Sequence, residues 1–470
     1  DIIMKEDHRK KEEKELVKKF ESHLKTGEYH YFDEEDFLAI INFYLEFNKN
    51  RHALKACDFA LEQFAYSTDL IADKAEILTR LDRLDDAIAL IDNALIYAPN
   101  DTDLLLQKGS LHTISGEFEA SIACFQQALP MAEDRDEILY SIGLAYQGLE
   151  DFEHAVEAYK EAIEFNVNNE NVLYELSYCL ELMGLLETSV SYYQKFIDTD
   201  PYSEYAWYNI GIVYNKLKQY ENALDAYEFA IAIDDGFSSA HFNIGNTYMN
   251  LNQYDKALEA YLIALELEGP GAEIYCHMAA VYEKMEQYEI GIRYYTKASK
   301  LDPMYHEAWY GIGVCLSLKE KWLDASHFFK KAVKIDIQNA SYLRALAEAE
   351  YCTGNIVSAI EIYEELGNLD QVEAEVYLDW SRIYYDQGNF LGAISIIEMG
   401  LSSTPDDPDY LYRKAVYLLA DGKYQESMVI LEQALILDFD GHEQIYDFFK
   451  ELSTQKALFK IIDQFRKEEK

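Results

Sequence analysis

Small and large apolar residues recur along the chain with a period of 34 residues. Small residues stand at one phase of that period twelve times, with no insertion or deletion between them. They are Ala53, Ala87, Ser121, Ala155, Ser189, Ala223, Ala257, Gly291, Ala325, Ala359, Ala393 and Ser427. A fixed period of this length is typical of a stack of identical helical or mixed units rather than of separate globular domains.

Twelve repeats of 34 residues run from Glu34 to Gly441 when these small residues are placed at position 20 of each repeat. The predicted repeats are 34–67, 68–101, 102–135, 136–169, 170–203, 204–237, 238–271, 272–305, 306–339, 340–373, 374–407 and 408–441. Residues 1–33 precede them and residues 442–470 follow them.

Each repeat has the apolar pattern of two helices. Positions 4, 7, 8 and 11 fall on one face of a first helix, and positions 20, 24 and 27 fall on one face of a second. Small residues at positions 8 and 20 let the two backbones approach closely. Glycine at position 15, as in Gly116 and Gly354, suits the turn between the helices. Proline at position 32, as in Pro201, ends the second helix. The pattern predicts an all-α fold of antiparallel helix pairs.

At these positions the chain resembles the tetratricopeptide repeat (TPR) family, whose signature is W-x2-L-G-x2-Y, A-x3-F, A and P. One close match consists of Trp207, Ile210, Gly211, Tyr214, Ala223, Tyr227 and Ala230. Another consists of Trp309, Ile312, Gly313, Ala325, Phe329 and Ala332. The resemblance implies a right-handed α-solenoid, a superhelix of more than one turn, with capping helices at both ends.

The two ends of the chain are expected to cover the terminal repeats. Residues 9–26 predict a charged amphipathic helix with one apolar side, formed by Leu16, Val17, Phe20 and Leu24. Residues 442–470 predict two helical stretches, the first with Ile445, Phe448, Phe449 and Leu452 and the second with Leu458, Phe459, Ile462 and Phe465. Partner binding is the alternative for the N-terminal helix, and dimerisation is the alternative for the C-terminal phenylalanines.

The repeats carry nearly all of the negative charge. The chain has 41 Lys and Arg against 86 Asp and Glu, a net charge of −45, of which residues 1–33 and 442–470 together contribute only −1. Such a charge argues against nucleic acid, because that affinity requires Lys and Arg, and against an anionic membrane surface. Residues 1–25 lack the apolar core of a signal peptide, and no apolar run is long enough to span a membrane. We therefore expect a cytoplasmic protein.

No motif of nucleotide binding, metalloprotease or hydrolase chemistry is present. The six cysteines form no CxxC pair, and the eleven histidines do not have metal-ligand spacing. The cysteines are Cys57, Cys124, Cys179, Cys276, Cys315 and Cys352. We expect them to be free thiols that pack as small hydrophobic residues, and we expect no cofactor, no metal site and no enzymatic activity.

The resemblance also implies where a partner binds, because in the family positions 2, 5, 6, 9, 12 and 13 of the first helices face a concave groove. Position 5 is aromatic in four successive repeats and twice later, at Tyr140, Tyr174, Tyr208, Phe242, Tyr310 and Tyr412. Position 9 holds Leu144, Tyr178, Ile212 and Asn246 in the first four of these repeats, and position 6 holds Asn209 and Asn243 in two of them.

These side chains predict an exposed aromatic ladder that binds protein; the alternative is that they cover neighbouring first helices. An asparagine amide donates and accepts at once, as a peptide backbone group requires, so Asn209 and Asn243 are candidate contacts. The groove positions hold 17 acidic and 6 basic residues, which favours a basic or amphipathic partner. The alternative role of this charge is to keep a long solenoid soluble.

The sequence therefore predicts a non-enzymatic scaffold or adaptor that binds an extended or helical, basic or amphipathic segment of a partner protein. An accessory or regulatory subunit that positions a catalytic partner is one alternative, and a peptide-sensing or secretion-chaperone-like adaptor is another. A tail of an Hsp70 or Hsp90 chaperone is not expected. The family's carboxylate clamp needs a lysine at position 5, which no repeat has, and such a tail is itself acidic.

Overall fold

A computed structural model describes residues 2–27, 30–369, 372–448 and 460–466, with side chains from residue 13 onward. The described residues form α-helices and two short 3-10 segments, and they contain no β-strand. They divide into two compact units, Asp1–Asn243 and Ile244–Lys470, which we call the N-terminal unit and the C-terminal unit.

The N-terminal unit begins with α1 (Ile2–Thr26), which precedes the repeats. The next helices are α2 (Glu34–Glu46), α3 (Asn50–Gln63), α4 (Thr68–Arg80), α5 (Leu84–Leu95), α6 (Thr102–Ile114), α7 (Phe118–Ala128), α8 (Arg135–Gly148), α9 (Phe152–Phe165), α10 (Glu170–Leu182), α11 (Glu187–Thr199), α12 (Glu204–Lys216) and α13 (Tyr220–Ile233). A 3-10 turn at Leu129–Met131 follows α7. Helix α14 (Ser238–Asn250) contains the division between the two units.

The C-terminal unit continues the pattern of two helices per repeat. Its helices are α15 (Tyr254–Glu268), α16 (Ala272–Lys284), α17 (Tyr288–Leu301), α18 (His306–Leu318), α19 (Trp322–Ile335), α20 (Ala340–Cys352), α21 (Ile356–Gly367), α22 (Ala374–Asp386), α23 (Phe390–Ser403), α24 (Pro408–Ala420) and α25 (Tyr424–Leu437). A 3-10 segment at Asp440–Asp447 and a helical stretch at 460–466 follow. The two helices of a repeat pack on each other, as α12 does on α13 and α18 on α19. The predicted all-α fold of helix pairs is thus confirmed.

Small residues mark the contact between the two helices of a repeat. Among the described residues, every side chain at position 20 is 0% exposed; Gly291, which has no side chain, is also buried. A glycine at position 8 faces the aromatic ring at position 24. A Cβ on Gly211 would lie 2.6 Å from Tyr227 Cε1, and one on Gly313 would lie 2.5 Å from Phe329 Cε1. The ring therefore occupies the space that a side chain at position 8 would need.

The turn between the two helices has a left-handed residue at position 15 in all twelve described repeats. Five of these residues are glycine, with φ between 72° and 85°: Gly116, Gly184, Gly354, Gly388 and Gly422. The other seven carry a side chain and have φ between 53° and 60°: Asn48, Asp82, Glu150, Lys218, Asn252, Glu286 and Glu320. Only glycine adopts this conformation without steric cost, so the packing of the helices imposes the turn.

Polar residues at the end of one repeat begin the first helix of the next. The side-chain oxygens of Ser67, Asp101 and Ser203 accept hydrogen bonds of 3.2, 3.0 and 3.1 Å from the backbone N–H three residues further on. Each bond satisfies an N–H that has no partner within the helix. First helices also contact one another, as in α8–α10, α10–α12 and α16–α18. The predicted groove residues on α8, α10 and α12 therefore lie on first helices that contact one another.

Helix α1 packs on the first repeat through Phe20, which is 1% exposed. The Phe20 ring centroid lies 5.9 Å from that of Phe59. Leu24, predicted on the same face, is instead 49% exposed. The inward side continues from Phe20 to His23, whose ring lies 5.2 Å from Phe59, and Leu24 is rotated about 100° from His23 around the helix axis.

The segment after the last repeat packs on α24. The Phe448 ring lies 5.3 Å from that of Tyr385 and 4.4 Å from the guanidinium carbon of Arg413. Ile445 and Ile462 are each 1% exposed, and Phe465 packs against the same core. The described part of this segment therefore packs on the last two repeats, while capping and dimerisation both stay predictions. Four residues of the predicted stretches lie outside the described residues: Phe449, Leu452, Leu458 and Phe459.

Two further expectations about individual side chains are wrong. Tyr412 does not face a groove, because its hydroxyl donates a hydrogen bond to the Asp438 carbonyl oxygen and the ring is 0% exposed. Cys352 is exposed, whereas the other five cysteines are buried. It lies at position 13, in the last turn of α20. No helix in the described parts of the chain is both long and apolar enough to cross a bilayer.

Candidate partner-binding surface

Four of the predicted groove residues line one cavity between α10 and α12. They are Tyr174 and Tyr178 on α10 and Asn209 and Ile212 on α12. The other lining residues are Ser177, Glu181, Leu186, Tyr193, Val213 and Lys216. On each of the two helices the lining residues recur every three or four positions, which places them on one side of the helix. We call this space the groove cavity.

The groove cavity is also bounded by one core tyrosine and by an ion pair between two further groove positions. Tyr193 of α11, at a core position of its repeat, is 2% exposed, and burial raises its pKa to about 12. Lys216 and Glu181 form an ion pair that joins α12 to α10. Tyr193 could have been found only from the packing, since position 24 is aromatic in most repeats and marks no site.

The aromatic ladder is unevenly exposed. Tyr174 is 57% exposed and Tyr178 is 46% exposed, whereas Tyr140, Tyr208 and Phe242 are half-buried. The ring centroid of Tyr208 lies 4.8 Å from that of Phe237, and that of Tyr140 lies 6.2 Å from that of Tyr159. Tyr140 and Tyr208 therefore pack on aromatic rings of their own repeats, and the exposed part of the ladder is confined to α10.

The asparagines differ in what their amides do. The Asn243 amide donates a hydrogen bond of 2.8 Å to the Tyr208 hydroxyl. In the C-terminal unit, the Asn246 Oδ1 atom accepts one of 2.6 Å from the Tyr261 hydroxyl. Asn209 makes no side-chain hydrogen bond to another residue that the structure describes. Its donor and acceptor face the groove cavity and can pair with a peptide backbone.

Leu144 and Tyr310 lie apart from this cavity. Leu144 is half-buried on α8, one repeat earlier. Tyr310 belongs to the C-terminal unit, where its ring stacks on Tyr342 with centroids 4.5 Å apart and lies 5.6 Å from Phe329. These contacts use Tyr310 for packing between α18 and its neighbours.

Acidic residues surround a second recess on the same row of first helices, nearer the N-terminus. Its lining consists of Leu38, Asn42, Thr68, Asp69, Ala72, Asp73, Asp101 and Asp103, and we call it the acidic recess. The buried Oδ2 atom of Asp73 has no hydrogen-bond partner among the described residues. Burial, and then the charges of Glu76 and Asp69, raise the pKa of Asp73 to about 6. A cation bound there would relieve this unfavourable charge.

Three of the six basic groove residues form ion pairs of 2.8 Å or less with acids of the chain itself. Arg80 contacts Glu76 at 2.6 Å, and Arg344 contacts Asp379 at 2.8 Å through both Nε and a terminal nitrogen. Lys216 is paired with Glu181, as described above. These pairs neutralise basic side chains locally and leave the acidic residues in excess. No group of three His, Cys, Asp or Glu side chains in the described residues is placed to hold a metal ion.

Replacing Asp73 with asparagine should stabilise the protein at pH 7.5 and not at pH 4.5. The folded-state pKa of about 6 exceeds the unfolded value of about 3.9, so the folded state binds more protons between these values. Its stability therefore falls as the pH rises through that range. Allowing for solvent screening of the partly exposed residue, we expect a gain of about 1 kcal/mol at pH 7.5, measured by urea unfolding at both pH values.

Asp103→Asn is the matched control, because Asp103 lines the same recess but is exposed. Its stability difference between the two pH values should stay within about 0.5 kcal/mol of the wild type. Equal pH dependence of the Asp73 variant and the wild type would contradict the assignment.

Comparison with known protein families matches three models described as tetratricopeptide repeat. One model matches residues 137–169, 204–237 and 238–269, a second matches 72–137 and 378–441, and a third matches 272–304. Together they cover more than half of the chain. No curated protein matches the sequence.

Three solved structures illustrate the similarity. The hetero-tetramer of APC/C subunits Cut9 and Hcn1 has 14% identity and a TM-score of 0.39, covering 86% of this chain and 97% of that one. PilF of Pseudomonas aeruginosa has 19% identity and a TM-score of 0.38, covering 44% and 94%. The MamA protein has 24% identity and a TM-score of 0.31, covering 36% and 91%.

Proposed function

Because the chain belongs to the tetratricopeptide repeat family, as its sequence predicts, we propose that it binds a basic or amphipathic segment of a partner protein along its first helices. The chain is a protein-interaction scaffold in the general sense of this family, whose repeats are as a rule non-enzymatic interaction modules. The nature of the segment, extended or helical, and its charge are the finer parts of the proposal.

The groove cavity carries the proposal. Tyr174 and Tyr178 are each about half exposed beside the half-buried Ile212. They also lie beside the amide of Asn209, which has no side-chain hydrogen bond to another described residue. Exposed tyrosines next to an apolar side chain and an available amide are typical of a protein-binding centre. An apolar side chain of the partner would cover the rings, and its backbone would pair with Asn209.

The charge of the first helices supports a basic partner. The acidic recess holds Asp73, whose burial makes a negative charge unfavourable unless a cation lies beside it. The surplus of acidic groove residues attracts positively charged segments over distances of about 10 Å at ordinary salt concentration. A basic segment that reached from the acidic recess to the groove cavity would meet charge at one end and tyrosine rings at the other.

The double variant Tyr174→Ala/Tyr178→Ala should bind such segments at least about tenfold more weakly, because each exposed aromatic contact is worth more than about 1 kcal/mol when it is central. The probes are fluorescein-labelled 15-residue peptides with the same apolar residues and net charges of about −4, 0 and +4. Fluorescence anisotropy with the full chain should show the +4 peptide binding best, and its affinity should fall as salt rises from about 50 to about 500 mM.

Tyr202→Ala/Tyr424→Ala is the control, since these two tyrosines are 78% and 63% exposed and line neither cavity. It should bind as the wild type does. Equal binding of all three peptides would contradict the basic partner, and full binding by the Tyr174/Tyr178 variant would contradict the groove cavity as its site.

A further inference from the structure

A second cavity lies on the side of α12 that faces away from the groove cavity. It has a volume of about 460 Å³, and its floor consists of the buried side chains Ile197, Ile210 and Ala226. On α12, Trp207 lines this cavity and Asn209 lines the other one. Two residues along a helix are rotated by about 200° around its axis, so the two spaces are separate. We call this one the outer cavity.

Two stacked aromatic rings form one wall of the outer cavity. The ring centroids of Trp207 and Phe229 lie 4.4 Å apart with an interplanar angle of 27°. The indole is held in place because its Nε1–H donates a 3.0 Å hydrogen bond to the Pro201 carbonyl oxygen. Phe229 is 53% exposed. The aromatic surface is therefore fixed in advance and open to solvent, as cation–π recognition requires.

The chain itself shows what occupies the equivalent place in other repeats. In repeat 9, position 26 is Lys331, whose Nζ atom lies 4.4 Å from the Trp309 ring centroid and 4.9 Å from that of Phe328. In repeat 8, position 26 is Lys297, whose Nζ atom lies 4.5 Å from the Tyr294 ring. In two repeats of the C-terminal unit, the ammonium group of the lysine at position 26 thus covers an aromatic ring of the same repeat.

Repeat 6 lacks that lysine and has acidic residues around the site. Phe229 occupies position 26, and Asp198 and Asp225 stand exposed at the rim. Asp198 belongs to repeat 5 and Asp225 to repeat 6, and the corresponding positions of repeats 8 and 9 hold Lys300 and His327. Neither rim carboxylate has an ion-pair partner among the described residues. The site therefore combines aromatic faces and two carboxylates with no cation of its own.

We propose that the outer cavity binds an arginine side chain of a partner protein. The flat guanidinium stacks on aromatic rings and pairs with carboxylates at its edge, which matches the Trp207–Phe229 wall and the two aspartates. This site is independent of the groove proposal, since it involves none of the groove-cavity residues and lies on the opposite side of α12.

The test uses the full chain labelled with 5-fluorotryptophan, because the four tryptophans then give separate fluorine NMR signals that single Trp→Phe variants assign. The probe is acetyl-Gly-Arg-Gly-amide, and its matched control is the same peptide with neutral citrulline. The Trp207 signal should shift when the arginine peptide is added. The concentration of the citrulline peptide that gives the half-maximal shift should be about tenfold higher than that of the arginine peptide. The Trp309 signal, already covered by Lys331, should not move.

Two variants separate the possible causes of a shift. Phe229→Lys supplies the chain's own cation on an exposed position and should abolish the response of Trp207. Asp198→Asn/Asp225→Asn should weaken it at least about fivefold. The response should persist in Tyr174→Ala/Tyr178→Ala. The proposal would be overturned if the Trp207 signal did not shift with the arginine peptide or shifted equally with the citrulline peptide. It would also be overturned if the shift were lost in Tyr174→Ala/Tyr178→Ala.

Discussion

Replacing Phe20 with alanine should lower the stability of the N-terminal repeats by about 3–5 kcal/mol, the usual cost of removing a buried phenylalanine. The ring is 1% exposed and lies about 6 Å, centroid to centroid, from Phe32, Phe37 and Phe59. Its loss would leave a cavity exactly where α1 covers the first repeat. Because each repeat contacts chiefly its neighbours, the loss should be greatest at that end.

Hydrogen exchange measures this effect by region. The amides of α2 and α3 should exchange at least about a hundredfold faster in Phe20→Ala, whereas those of α24 and α25 should be unchanged. Leu24→Ala is the control, since Leu24 lies on the same helix but is 49% exposed, and it should change exchange little. Unchanged protection of α2 in Phe20→Ala would show that α1 does not support the first repeat.

Gly211→Val should lower the stability of the surrounding repeats by about 2–3 kcal/mol, because it overfills a closed space. A Cβ on Gly211 would lie 2.6 Å from Tyr227 Cε1 and 2.7 Å from Cδ1. The Tyr227 ring is 0% exposed, so it has no open space into which to move. The two helices of repeat 6 must therefore separate to admit the valine.

Gly236→Val is the control for a generic glycine substitution, since Gly236 is exposed and the nearest atom to its Cβ is an oxygen of the exposed Asp234 carboxylate, at 3.3 Å. Guanidinium unfolding should show this variant within about 0.5 kcal/mol of the wild type. In the double variant Gly211→Val/Tyr227→Leu, the smaller side chain should restore part of the loss. If the two substitutions were simply additive, the ring would not be the obstacle.

The fold could be predicted from the sequence because one physical requirement recurs twelve times. Close approach of two helices needs a small residue at a fixed position of each repeat. Residues such as Ala223 and Ser121 mark this position in the sequence itself, without any alignment of relatives. The left-handed turn was readable only where glycine marks it. Glu150 and Lys218 adopt the same conformation, although nothing in those residue types indicates a turn.

The candidate site was predictable to the level of the helix face but not of the single side chain. The period placed Tyr174 and Tyr208 at the same position, yet Tyr174 is exposed whereas Tyr208 packs on Phe237 and bonds to Asn243. These differences depend on which side chains the following segment of the chain places beside the ring. The outer cavity could not be predicted from the sequence, because Trp207 belongs to the repeat signature and therefore indicates packing rather than binding.

The left-handed turns have a consequence for how this chain can change. Eleven of the twelve described turns leave three residues between the paired helices. In seven of the twelve, a residue other than glycine adopts the left-handed conformation and the turn is still formed. The type of residue at position 15 can therefore change during evolution, whereas the length of the turn is nearly constant. Losing one residue would rotate the second helix by about 100° and move its small residue out of the contact. The packing of the helix pairs thus depends on the number of residues in each turn. A point substitution in a turn should disturb this packing far less than the deletion of one residue.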